Sequence, residues 1–95
     1  MENTYRTKDL ASAAMLIVKG HPMLQMEREA EICFFIFSSE QECERLSDQF
    51  FFGEVLVNAR DYYEAMNRLK NKIFSYISYG KSHENTHIKQ WYKLR

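Results

Sequence analysis

His83 and His87 stand four apart, a spacing that puts two imidazoles on one helix face, and Cys33 and Cys43 are the only thiols available to join them on zinc. Structural zinc sites draw their cysteines from close C-x₂₋₄-C pairs, whereas these two are ten apart and on what read as separate elements. The pattern argues against a metal site, and the histidines read as solvated. Nucleophilic catalysis needs a Ser or Cys beside a positioned His and a third orienting group. Cys33 lies in the most apolar segment, where burial raises a thiol pKa, and His21 abuts the turn at Pro22. Nothing near either one poises it for reaction. Three glycines are too scattered to form a phosphate-cradling loop, and acid pairs such as Glu40 with Glu44 fall on a solvated helix face. The chain therefore reads as non-enzymatic, with no catalytic residue, no metal ligand and no cofactor.

Two kinds of binding surface remain. Arg68, Lys70 and Lys72, with Lys81, Lys89, Trp91, Tyr92, Lys93 and Arg95, would make a basic end carrying stackable rings, the combination that tracks phosphates and stacks bases. Self-association rests on other features: a long last helix, a strand apolar on both faces, and the run Phe50-Phe51-Phe52, which exceeds one helix stripe. Phe35, Phe37, Phe51, Tyr63, Phe74 and Ile77 are the residues expected to meet a second copy, and a closed two-fold dimer is the commonest such arrangement. The expected role is that of a small non-enzymatic interaction protein, self-associating as a homodimer. The alternative is a nucleic-acid-binding accessory protein using its basic end.

The elements that must position these residues follow from periodicity. Between Asn58 and Gly80, the residues Ala59, Tyr62, Met66, Leu69, Ile73 and Tyr76 recur at spacings of three and four, which predicts a helix on the order of 30 Å long with a core stripe. Asn58 is its N-cap, with Asp61 placed for a capping box, and Gly80 its stop. The rest of the chain is expected to pack against this helix. Thr7 reads as the N-cap of a first helix running through LASAAMLIV to Gly20, apolar nearly all round and so largely enclosed. His21-Pro22 breaks it. Met23 to Glu29 alternates, Leu24 and Met26 against Gln25, Glu27 and Glu29, and predicts a strand; Ala30-Glu31 is a turn. ICFFIF, residues 32–37, predicts a second strand, either covered on both faces or paired with another copy. Ser39 with Glu42 spells a capping box for a helix through Cys43, Leu46 and Phe50 to Gly53, and Val55 to Val57 is a third short strand or an extended link. The fold expected is α+β, a β-hairpin packed with three helices in the order α-β-β-α-(β)-α. Residues 1–80 form one domain and residues 81–95 a basic C-terminal tail.

Thirteen basic and thirteen acidic residues cancel, so no global attraction to a polyanion or a membrane is implied. The charge is unevenly placed: −6 between Glu27 and Glu54, and +3 from Lys81 onward. The two cysteines lack CxxC spacing, and no apolar run is longer than Ala13 to Val18, which is too short to span a bilayer. A reduced, cytoplasmic, unexported chain is expected.

Tyr5-Arg6-Thr7-Lys8-Asp9-Leu10, then Lys19-Gly20-His21, ICFFIF, Phe52-Gly53-Glu54, Val57-Asn58-Ala59-Arg60 and Leu69-Lys70 together resemble a family of small bacterial and phage-associated proteins known only as a domain of unknown function. The resemblance covers Thr4 to Phe74. It implies a bacterial or mobile-element origin, and brings no activity, ligand or site; the tail after Gly80 falls outside it.

Overall fold

The computed structural model describes residues 3–80, and side chains as far as residue 75. Six elements follow in order: β1 (Thr4–Thr7), α1 (Leu10–Val18), β2 (Met23–Glu29), β3 (Ile32–Ser38), α2 (Glu40–Phe51) and α3 (Ala59–Gly80). The fold is α+β, with three helices and a three-stranded antiparallel sheet ordered β1-β3-β2 among the described residues. Both outer strands run antiparallel to β3, so β1, α1 and β2 form a split β-α-β unit with β3 filling the gap.

The first element is thus a strand and not a helix. Residues 4–7 are too short and polar to carry a period of their own. They form a strand because β3 offers a ladder, with Tyr5 opposite Phe37 and Thr7 opposite Phe35. Val55 to Val57 is the extended link and not the third strand. It alternates like a strand, Val55 and Val57 packing on the core while Leu56 points out, but β3 is already paired on both sides.

The helix starts also depart from local expectation. Asp9, not Thr7, caps α1: its Oδ2 accepts from the backbone N–H of Ser12 at 3.3 Å and from the Ser12 hydroxyl at 2.6 Å. Thr7 Oγ1 instead accepts from Asp9 N–H at 3.1 Å, one step earlier. Ser39 makes no capping box. It is the single residue between β3 and α2, and reversing the chain in that space puts it in the left-handed region at φ 61°, where its side chain makes no cap bond. Asn58 caps α3 as expected, its Oδ1 accepting from Asp61 N–H at 3.0 Å.

The core lies on one face of the sheet. Phe35 and Phe37 of β3, Met15 and Leu16 of α1, Cys43 of α2, and Ala65 and Leu69 of α3 form one buried cluster, with Tyr5, Met23 and Met26 beside it. Each buried Leu, Met or Phe contributes roughly 1.5–3 kcal/mol. α1 packs on α3, α2 and β1, and its residues Ser12 to Leu16 are all buried, which makes α1 the hub that α3 was expected to be. A helix without a wet face at its centre can serve several neighbours at once. In β2 a bulge between Met23 and Gln25 inserts Leu24, so Met23 and Met26 face the core and Leu24 is left out in solvent, apart from Met26.

Candidate interaction surface

Where α2 ends, the chain must turn toward α3. Gly53 N–H donates to the Phe50 carbonyl at 3.0 Å and Glu54 N–H to the Gln49 carbonyl at 2.8 Å, the paired bonds of a Schellman motif. That motif needs a left-handed residue after the helix, and Gly53 supplies it at φ +76°. At about 100° per residue, Phe50, Phe51 and Phe52 cannot all face the core. Phe50 turns inward, its ring 6.0 Å from that of Tyr62. Phe51 and Phe52 turn outward, 81% and 72% exposed, and meet edge to face at 5.1 Å. Leu56 on the link, at 86%, and Tyr63 in the second turn of α3, at 66%, are likewise open. Four of the six large hydrophobic side chains exposed among the described residues fall in this stretch of 13 residues, Phe51 to Tyr63.

Among the described residues no helix packs on the outer face of the sheet, which is covered by its own side chains. Arg6 lies over the Phe34 ring, 3.7 Å from its centre, and pairs with Glu27 at 3.3 Å and Glu29 at 3.0 Å. Gln25 donates to the second Glu27 oxygen at 2.8 Å. Ile36 is consequently 6% exposed although it takes no part in the core cluster. Arg6 offsets one of the two glutamates, so these three side chains leave a single negative charge on this face.

The thiols are set for packing. Cys43 is buried and donates to the Ser38 carbonyl at 3.2 Å, and burial pushes its pKa up, as does Glu42 beside it. Burial likewise raises Cys33, more than Arg28 lowers it. The Tyr62 hydroxyl is raised by burial and by Asp9. Among the described residues no three His, Cys, Asp or Glu side chains converge, and no helix is long and apolar enough to cross a membrane.

Of the residues expected to meet a second copy, Phe51 and Tyr63 are on the surface, and Phe74 is half-buried on α3. Phe35 and Phe37, 1% and 0% exposed, are core residues of a single chain and are removed from any contact surface while the fold holds. The pleat sends alternate residues of β3 under the helices, so a strand apolar on both faces needs no second copy. Ile77 lies on α3 with its side chain outside the described residues. Of the basic set, Arg68 and Lys72 stand one turn apart and exposed on α3; Lys81, Lys89, Trp91, Lys93 and Arg95 lie outside the described residues, as do His83 and His87. Phe52 and Leu56 were missed as surface residues. Their signal was present, in the Phe50 to Phe52 run and in the alternation of Val55, Leu56 and Val57.

Residues 2–75 match the family described as a domain of unknown function, DUF5659. The chain belongs to that family. The matched stretch of this DUF5659 protein includes every strand, α1, α2, the exposed Phe51 to Tyr63 stretch and α3 as far as residue 75. No curated protein and no solved structure matches it.

Proposed function

We propose that this chain is a non-enzymatic interaction protein that self-associates through the surface formed by Phe51, Phe52, Leu56 and Tyr63. The observation that carries this reading is their joint exposure at the α2–α3 turn. Rings of roughly 200 Å² each, about three-quarters open, put some 450 Å² of aromatic surface in water before Leu56 is added. The largest apolar patch on a typical single chain is about 300–600 Å², and a patch of that size is often a functional contact surface. A standard interface takes about 800 Å² from each partner, so the patch supplies more than half of what a two-fold dimer needs. A formal net charge of zero leaves no long-range repulsion between copies. Light scattering coupled to size exclusion at ~10–100 μM tests the reading; a strictly monomeric chain across that range overturns it.

The second reading, nucleic acid bound at a basic end, has Arg68, Lys70 and Lys72 as its described cations. Asp61 and Glu64 lie beside Arg68 and oppose a phosphate backbone there. A titration with single- and double-stranded DNA at low salt decides it, and binding unaffected by deleting residues 81–95 would reject the basic end. For setting, we propose a bacterial cytoplasm and a mobile-element source, on the strength of the resemblance over residues 4–74 and the two free thiols. Recovery of the chain in oxidised form from an exported fraction would contradict that.

A further inference from the structure

The end of α1 and the turn after it, the start of β2 and the middle of α3 line a half-open hollow of about 350 Å³ that the self-association surface does not include. It is lined by the apolar residues Ile17, Pro22, Met23 and Leu69 and by the cations Arg68 and Lys72. Each contribution has a local cause. A Schellman turn at Gly20, with Gly20 N–H on the Ile17 carbonyl and His21 N–H on that of Leu16, ends α1 and delivers the rigid Pro22. The bulge at Leu24 rotates Met23 inward. The spacing of 68, 69 and 72 on α3 then sets the buried Leu69 to one side of two long cationic side chains that stand one turn apart.

The two cations are the informative part. Arg6, Arg45 and Arg60 each hold a carboxylate, whereas among the described residues neither Arg68 nor Lys72 makes an ion pair, and no acid lines this cavity. The acids of α3 lie on the other side of Arg68, where Asp61 and Glu64 line a separate hollow of about 230 Å³. An anion is therefore favoured at the Lys72 side of Arg68 and repelled from the Asp61 side. An apolar lining with a few convergent polar groups is the usual make-up of a small-molecule site, and 350 Å³ is at the small end of such sites.

We propose that this cavity binds a small amphipathic anion, a carboxylate on a medium-length alkyl chain. The carboxylate sits between Arg68 and Lys72, and the chain covers Ile17, Met23 and Leu69. Nucleic acid suits it poorly, because two cations beside an apolar lining offer little to a repeating phosphate chain and much to one charge with a hydrocarbon attached.

The test is an amide chemical-shift titration of the full chain with sodium octanoate below its micellar concentration, with sodium acetate and octan-1-ol as controls. Saturable shifts at Ile17, Met23 and Leu69 are expected, with acetate and octanol each weaker by roughly tenfold or more, since each lacks one half of the recognition. Arg68→Gln with Lys72→Gln should weaken octanoate by about tenfold, toward the octanol value. Both side chains are exposed, so the variant keeps the dispersed spectrum of the parent. Unsaturable shifts, equal binding of octanoate and octanol, an unaffected double variant, or shifts centred on Phe51 to Tyr63 would each overturn the proposal. The last outcome would identify mere adsorption to the aromatic patch. A chain that proves monomeric yet binds octanoate as described supports this site independently of self-association.

Discussion

Replacing Phe51 by Ala separates association from folding, because this ring is 81% exposed in the single chain. About 160 Å² of a ring of roughly 200 Å² is in water, and truncation to Ala removes on the order of 100 Å² of it. If a second copy covers that area, transfer at about 25 cal/mol per Å² gives ~2.5 kcal/mol per protomer, and both protomers of a two-fold pair lose it. Immobilisation of side chains and imperfect coverage take back a share, so we expect the dimer dissociation constant to rise by at least about tenfold, and up to a few hundredfold. Folding is indifferent to the change: an exposed residue at a helix end alters stability by under about 0.5 kcal/mol. Sedimentation equilibrium on wild type and Phe51→Ala, with urea unfolding at a concentration where both are monomeric, measures the two quantities separately. The reasoning fails if the variant dimerises as tightly as wild type, or if it loses more than about 1 kcal/mol of monomer stability.

Four further outcomes follow from the packing. Leu69→Ala should cost about 2–5 kcal/mol in urea unfolding, since Leu69 is buried where α3 meets α1. Ser47→Ala should be neutral or stabilise by up to about 1 kcal/mol, because the Ser47 hydroxyl is buried with no partner among the described residues and Ala is the better helix former. Gly53→Ala should cost about 1–2 kcal/mol by strain alone, as nothing lies within 4 Å of an added Cβ while φ +76° disfavours any side chain. Finally, both thiol pKa values are raised in the folded chain, so the protonated form is held by folding. Their contribution is complete below the unfolded thiol pKa of about 8.5 and is lost as pH rises through the higher folded values. Stability should fall above about pH 9, and iodoacetamide at neutral pH should leave the buried Cys43 unmodified until the chain unfolds.

What the residues settled on their own is whatever a pattern within one element can specify. The strand from Met23 to Glu29, though not the outward turn of Leu24, the two-residue turn at Ala30-Glu31, the β-forming run of β3, the middle of the α3 stripe from Tyr62 to Ile73, though not the exposed Ala59, and the Asn58 cap were legible, because each depends on neighbours one to four positions away. The exposed run at Phe51 was legible for the same reason. Tertiary structure decided what depends on partners distant in sequence. Thr4 to Thr7 is a strand only because β3, some thirty residues on, leaves an edge for it, and Ser39 loses its cap because β3 and α2 abut with one residue to turn in. Phe35 and Phe37 face inward because the helices lie on one side of the sheet, which no alternation within ICFFIF could announce. Arg68 and Lys72 read from the sequence as part of a basic end. Only the fold sets Pro22 and Met23 beside them, and with an apolar lining the same two charges face a different class of ligand.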